Sequence, residues 1–318
     1  MANFIDVSGL TYCGKEYQNI FAKDMYSLDI RNYGITLLDG VKGKMKLYSG
    51  EIGDVWQAYT CPFTPQGAAS LAESFIEPVA IKSNLENCYD TFWNTFLVEQ
   101  TQISLNGGIP QTFANWFFDK YRQKMAREYE EIFWQGDTAR TATTKAYLKV
   151  TDGVEKKLAD NSGVTKVSAT TFTVDNILAQ VEAVIAAGLA KAATDEVDTS
   201  NYRILMNKFD VDLLKMALGK ICCPNNDSIF SNYAKGANGG VIIDGFEIYP
   251  TMQSRNTVIF GDPRNLVLGF DTFDSHLSWE LLDLRHVTGD NMFRIIAISN
   301  IAVGIVYPEG FVFAKVFE

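Results

Sequence analysis

The stretch PQTFANWFFDKYRQKMAREYEEIFWQG, residues 110–136, decides the fold of this chain. Large apolar residues recur in it every four positions, at Phe113, Phe117, Tyr121, Met125, Tyr129 and Phe133. That period gives a helix one apolar stripe, and the charged residues between them form a solvated face. Pro110 suits the first turn of a helix and Gly136 suits a C-terminal cap. The stretch therefore predicts one helix about 40 Å long, against which the rest of the protein packs.

Composition places the chain among globular proteins and excludes several classes. Its 318 residues allow one large or two medium domains, and 47% of them are hydrophobic. A net charge of -10 without clustered Lys and Arg argues against a surface that grips nucleic acid. The most apolar run, residues 295–306, is shorter than the roughly 20 residues that cross a bilayer, so we expect no membrane association.

The sequence carries no group of residues typical of an enzyme or a metal site. Its five cysteines are odd in number and lack a C-x-x-C pair, which favours reduced, intracellular folding. It has only two histidines and no phosphate-binding loop, nucleophile elbow or zinc-protease motif. Residues 195–198 are acidic but lack calcium-loop spacing, and Glu130 and Glu131 are expected only to solvate the helix. We expect no catalysis, no cofactor and no metal.

Before the helix, the sequence predicts a long two-stranded arm. Residues 44–59 and 75–81 have strand character, and the residues between them are rich in Pro, Gly and small side chains. Pro78 suits an edge position. Because an isolated hairpin is marginally stable in water, we expect the arm to lie on a neighbouring subunit. The predicted inter-subunit contacts are its large side chains: Trp56, Tyr59, Phe63, Pro65 and Phe75.

The remaining segments alternate between helix and strand. Residues 1–39 suit either an extended arm or an ordinary first layer of the domain. Residues 84–100 are predicted to form a short helix or a packed segment. Helices are predicted at 173–189 and 209–218. Strands are predicted at 203–206, 241–249, 257–260, 266–270, 279–286, 292–307 and 311–317. The fold class is α+β.

The order of these parts resembles that of tailed-phage major capsid proteins of the Hong Kong 97 (HK-97) type. The resemblance is strongest at GDPRNLVLGFD, residues 261–271, and IAVGIVYPEG, residues 301–310. The first is similar to the late axial-domain strands of that family and the second to its closing peripheral strands. The general character of the sequence also resembles that of capsid proteins from phages of gut bacteria.

The resemblance implies a division of the chain into five parts. These are an N-terminal arm (1–39), an extended loop (40–84), a peripheral domain with its spine helix (85–150, helix 110–136), an axial domain (151–271) and returning peripheral strands (272–318). Some family members join subunits through Lys–Asn bonds at the extended loop. The tip of this loop lacks lysine, so that chemistry is not expected here.

The resemblance also implies the function. The chain would self-assemble as pentamers and hexamers into an icosahedral shell that encloses double-stranded DNA without sequence-specific binding. Its partners would be a separate scaffolding protein, a portal and accessory capsid proteins. It would be located in the capsid of the virion, which would be assembled in the host bacterial cytoplasm. Two alternatives stay open: an encapsulin-like compartment with an enzyme cargo, and a soluble α/β enzyme.

Overall fold

The computed structural model describes residues 29–53, 55–59, 61, 67, 69–88, 96–97, 113–141, 144–221, 241–270, 279–284 and 289–316. The α-helices in these ranges are α1 (Phe113–Gln135), α2 (Val154–Asp160), α3 (Ile177–Thr194) and α4 (Lys208–Ile221). The first strands are β1 (Thr36–Asp39), β2 (Met45–Ile52), β3 (Ala69–Ile76), β4 (Val79–Cys88), β5 (Thr165–Ser168), β6 (Arg203–Asn207) and β7 (Ile242–Ile243). The others are β8 (Phe246–Thr251), β9 (Thr257–Gly261), β10 (Leu266–Phe270), β11 (Trp279–Asp283), β12 (Met292–Ile305) and β13 (Val312–Lys315).

The long strand β12 organises a five-stranded sheet. It pairs antiparallel with β4, β10 and β11, and β1 adds parallel to β10. Ile301 of β12 pairs with both Phe270 of β10 and Val79 of β4, so these two strands flank it on opposite sides. One long strand thus joins segments from both halves of the chain.

Helix α1 packs on one face of this sheet. Alternate residues of β12 point to that face and are buried in the same core as the helix: Phe293, Ile295, Ala297, Ile301 and Val303. The rings of Phe117 and Phe293 meet edge to face, 4.9 Å apart, and the Tyr129 hydroxyl donates to the Asn300 carbonyl at 3.1 Å. Burial stabilises the fold by roughly 1.5–3 kcal/mol for each large side chain.

The end of α1 is fixed by close packing. Gly136 follows the last helical residue, but its φ lies outside the left-handed region, unlike that of a usual glycine cap. A Cβ there would lie 2.3 Å from the Thr151 carbonyl oxygen. The Gly153 amide donates back to the Gly136 carbonyl at 2.8 Å. Glycine is therefore needed because the start of α2 passes against the end of α1.

The second core lies in a six-stranded sheet of order β5-β13-β9-β6-β8-β7, on which α3 and α4 pack. Gly188 lets α3 approach this sheet, since a Cβ there would lie 2.3 Å from the ring of Phe260. By length and composition alone α3 would qualify as a membrane span. Its buried residues instead pack with β9 and β13, which is the position of a core helix.

The turn between β8 and β9 joins the two cores. The Gln135 side chain at the end of α1 donates to the Met252 carbonyl at 2.5 Å. Glu155 of α2 is buried and accepts from the Ser254 amide and, at 2.8 Å, from Lys315 of β13. These contacts tie α1, α2 and β13 to one turn.

Several predicted segments differ in the structure. Pro78 divides the expected strand 75–81 into β3 and β4, because proline cannot donate to the ladder. The expected helix or packed segment at 84–100 is wrong for 84–88, which β12 holds as strand; residues 96–97 are helical, and 89–95 and 98–100 lie outside the described residues. Of residues 1–39, Ile30, Tyr33 and Ile35 are buried in the α1 core, and 1–28 lie outside the described residues.

The strand pairings also cross the predicted domain boundaries. β10, assigned to the axial domain, lies in the five-stranded sheet, and β13, assigned to the returning peripheral strands, lies in the six-stranded sheet. Both strands are buried runs, and such a pattern does not identify the sheet that receives them.

Candidate assembly surfaces

The arm consists of β2, the connecting residues 53–68 and β3. Its strands pair antiparallel from Met45↔Ile76 to Ile52↔Ala69, so the predicted strand character of 44–59 holds as far as residue 52. Near its base, Ile76 and Leu47 pack on glycines of the five-stranded sheet. A Cβ at Gly304 would lie 3.0 Å from Leu47 and 3.3 Å from Ile76. The arm's base is thus fixed to its own subunit.

The other face of the arm is mixed in character. Lys46 and Glu73 form an ion pair of 2.7 Å, and the Lys44 ammonium lies 4.7 Å from the centre of the Phe75 ring. Tyr48 and Leu71 are exposed beside them. Surface ion pairs contribute at most about 1 kcal/mol, so this face adds little to the stability of the subunit.

Among the described residues, the arm tip, residues 55–59, carries the most exposed aromatic side chains. Trp56 is 92% exposed and Tyr59 is 94% exposed. These two predicted contact residues lie three positions apart in the tip, whereas Phe75 lies near the base of the arm. Phe63 and Pro65 lie outside the described residues. Exposed aromatic clusters are typical of surfaces that bind another protein.

A second apolar surface lies on α4 and was missed by the sequence analysis. Phe209 and Met216 are 66% and 63% exposed and lie seven residues apart, on one side of the helix. The helix buries Val211, Leu214 and Ala217 instead. The spacing in the sequence could have shown this. Val211, Leu214 and Ala217 form the buried i, i+3, i+6 row, and the two exposed residues lie outside it.

A groove of about 260 Å³ lies between α1, β4, β12 and the turn 146–149. We name it the spine groove; it is lined by Ile81, Lys82, Ser83, Arg122, Met125, Ala126, Glu128, Tyr129, Ile132, Ala146, Tyr147, Val150, Ala297 and Ser299. Ser299 is 4% exposed, and its hydroxyl has no hydrogen-bond partner in the described part of the chain. Buried hydroxyls are normally paired, so Ser299 is an exception among the described residues.

Glu131 fixes the 145–147 wall of the spine groove, contrary to its expected solvating role. It is 4% exposed and accepts from Tyr147 at 2.5 Å, from Lys145 at 2.6 Å and from Arg127 at 3.3 Å. Burial favours the neutral acid, but these hydrogen bonds outweigh it and lower the pKa of Glu131. Glu130 is buried as well, within 3.5 Å of the Tyr33 hydroxyl. Both carboxylates hold other segments against α1.

Among the described residues, no three His, Cys, Asp or Glu side chains are grouped as metal ligands. Cys61 is exposed and Cys88 is half-buried, and neither forms a disulfide. The candidate surfaces described above, which are the arm tip, α4 and the spine groove, therefore offer shape and apolar area to a partner.

Comparisons with known proteins agree with this architecture. No family model matches the chain, and no curated protein matches it. A solved structure of the satellite phage P4 procapsid, which includes its size determination (Sid) protein, matches over 96% of this chain and 92% of its own, with a TM-score of 0.62 and 11% identity. The capsid of an empty GTA particle matches over 92% and 90%, with a TM-score of 0.53 and 12% identity.

The capsid of the Myoviridae phage XM1 matches over 91% of this chain and 92% of its own, with a TM-score of 0.53 and 13% identity. These likenesses do not bear on the host, so the expected gut-bacterial origin stays a prediction. At such identities what is shared is the arrangement of helices and strands along nearly the whole chain. This protein has the α+β fold of HK-97-type phage capsid proteins.

Proposed function

We propose that this chain is a major capsid protein that assembles as pentamers and hexamers into an icosahedral shell enclosing double-stranded DNA. The observation that carries the proposal is the match of its fold to a procapsid chain over 96% of its length. A likeness of that extent includes the arm and both sheets, and is not confined to one common α/β unit.

The exposed surfaces support this proposal. The arm tip holds two almost fully exposed aromatic residues, Trp56 and Tyr59, and α4 adds Phe209 and Met216. Large exposed apolar residues on two different elements favour more than one contact per subunit. A shell needs that arrangement, because each subunit must bind neighbours on more than one side.

The net charge of the chain is compatible with a shell that encloses DNA. The net charge of -10 disfavours strong binding to a polyanion, so a wall of such subunits confines DNA without gripping it. In this proposal the protein resides in the virion, after assembly in the host bacterial cytoplasm. A separate scaffolding protein, a portal and accessory capsid proteins are its partners, and it catalyses no reaction.

The test is assembly. The protein is expressed alone and with a candidate scaffolding protein from the same genetic locus, and the product is studied by sedimentation and negative-stain electron microscopy. We expect pentamers, hexamers or closed shells. A strictly monomeric protein in every condition, with scaffold supplied, contradicts the proposal. Shells that contain a co-purifying enzyme, from a locus without portal and terminase genes, would instead establish the encapsulin-like alternative.

A further inference from the structure

The spine groove contains one buried polar group that the described part of the subunit leaves unpaired. Ser299 has the strand parity of Ile301, which is buried with α1, so its side chain lies on the groove side of the sheet. Among the described residues that line the groove, it holds the only buried side-chain oxygen or nitrogen without a hydrogen-bond partner. Because no hydrogen bond fixes its rotamer, rotation about its Cα–Cβ bond can turn the hydroxyl toward a molecule in the groove.

The other hydroxyl groups of the groove already have partners. The Ser83 hydroxyl accepts from Tyr121 at 2.7 Å. The hydroxyls of Tyr129 and Tyr147 make the bonds to the Asn300 carbonyl and to Glu131 described above. A ligand would therefore provide a first hydrogen bond only to Ser299.

The charged residues at the groove do not favour an ionic ligand. Two of them form ion pairs within α1, Glu128 with Lys124 at 3.0 Å and Arg122 with Asp119 at 3.6 Å. Lys82 is exposed, and in β4 it alternates with the half-buried residues on the α1 side. An ion in the groove would lose its hydration without an unpaired charge to receive it, so a neutral ligand fits better.

We propose that the spine groove binds a small, neutral aryl alcohol, whose ring lies between α1 and β12 and whose hydroxyl bonds to Ser299. An apolar cavity of about 150 Å³ holds a benzene molecule, so a groove of 260 Å³ admits a ring with a short substituent. The Met125 thioether and the rings of Tyr129 and Tyr147 line the groove, and both kinds of group make favourable contacts with an aromatic ring.

The same features disfavour water as the occupant. An ordered buried water needs about two to four polar partners, and the floor of the groove offers one hydroxyl among apolar side chains such as Ile132 and Ala297. The site belongs to a single subunit, so it goes beyond the shell function proposed above and does not depend on assembly.

Equilibrium dialysis of the full-length protein tests binding. Benzyl alcohol is the probe, and toluene, which lacks the hydroxyl, is the matched control ligand. We expect a dissociation constant of about 1 mM or lower for benzyl alcohol. Ser299→Ala should weaken benzyl alcohol about fivefold and change toluene less than twofold, because only the alcohol loses a hydrogen bond. Ser168→Ala, at an exposed serine of β5, is the matched control and should change neither.

Nuclear magnetic resonance locates the bound ring. In protein labelled with ¹³C at the methionine methyl groups, benzyl alcohol should shift the Met125 signal and show a nuclear Overhauser effect to it. Met216 on α4 is the internal control, because it is 63% exposed and reports binding to any apolar surface. Equal effects at Met125 and Met216 would overturn the site.

A variant that fills the groove provides an independent test. Ala126 lines the groove from α1, and Ala126→Leu keeps a residue of high helix propensity while it narrows the space. It should weaken both probes at least about fivefold, since both rings occupy the same volume. If it does not fold, Ser299→Ala still decides, because removal of an unpaired hydroxyl leaves the subunit intact.

The outcomes distinguish this site from the shell function. No binding of either probe at about 10 mM would overturn the ligand site. Equal affinities of wild type and Ser299→Ala for benzyl alcohol would overturn the assignment of an alcohol. In both cases, particles seen by electron microscopy would leave the shell function standing.

Discussion

Helix α1 and the arm are both rich in aromatic side chains, but they place them oppositely. Phe133 and Trp134 of α1 are fully buried against the chain itself, whereas Trp56 and Tyr59 of the arm are more than nine-tenths exposed. Buried aromatics stabilise the subunit. Exposed ones leave most of their area available to another surface. The difference separates residues that fold the subunit from residues available for assembly, and each prediction below tests that separation.

The largest effect should come from breaking α1. Met125→Pro removes a helical hydrogen bond and clashes with the preceding turn, which costs about 3 kcal/mol or more, and it deletes a side chain packed on the core. Against a typical net stability of about 5–15 kcal/mol, we expect most of the subunit to unfold or aggregate. Circular dichroism and solubility measure this directly.

The control is the neighbouring residue. Lys124 is exposed and pairs with Glu128 on the same helix, so Lys124→Ala should change the free energy of unfolding by less than about 0.5 kcal/mol. Equal effects from both substitutions would mean that α1 is not the centre of the fold.

A smaller effect should come from Glu131, which ties the 145–147 wall to α1. Glu131→Gln should cost about 1–3 kcal/mol at pH 7, because a buried hydrogen-bonded ion is replaced by an amide. The pKa of Glu131 is lowered below 4.5, so its ionised form stabilises the fold above that pH, and this contribution is lost as the pH falls further.

Chemical denaturation from pH 7 to pH 3 measures this dependence. The Gln variant should lose less stability on acidification than the wild type. Glu128→Gln is the matched control, because Glu128 lies on the same helix and its ion pair is with the exposed Lys124. A wild type and a Glu131 variant with the same acid slope would contradict the assignment.

The sequence indicated α1, the arm and most strands, because each has a local period or turn signal. The apolar stripe of α1 is visible as a four-residue repeat, and the arm tip as a Pro- and Gly-rich interruption. The burial of Glu131 had no such signal, since its partners Lys145 and Tyr147 come from a different segment. The spine groove was equally hidden, because four separate segments form it.

The sequence did not predict which sheet β10 and β13 join, and the reason is a different one. β10 and β13 are both short apolar runs, and hydrophobicity alone does not distinguish one buried sheet from another. The glycines that receive the arm, Gly269 and Gly304, fall within strand patterns, and their role depends on side chains more than 190 residues away along the chain. Contacts of such separation leave no pattern in one sequence.

On the arm itself, a modest effect is expected at its surface ion pair. Glu73→Gln breaks the contact with Lys46, and both side chains are well exposed. We expect a loss of about 0.2–1 kcal/mol in subunit stability, reduced further at 1 M salt by screening. Urea unfolding at two salt concentrations measures it. A loss above about 2 kcal/mol would mean that the outer face of the arm belongs to the folding core.

The smallest effect on the subunit should come from removing the arm tip. Replacing residues 53–68 with a two-residue Asn-Gly turn keeps the pairing of β2 and β3, and Asn-Gly suits a tight hairpin. Because Val55, Trp56 and Tyr59 are exposed, their loss should change the free energy of unfolding by less than about 0.5 kcal/mol. Shell formation should nevertheless fail, since the lost aromatic area would be buried only between subunits.

Thermal melting and sedimentation of the same sample separate the two outcomes. A tip-less protein that melts well below the wild type would place the tip in the subunit core, and one that still forms shells would remove the arm from assembly.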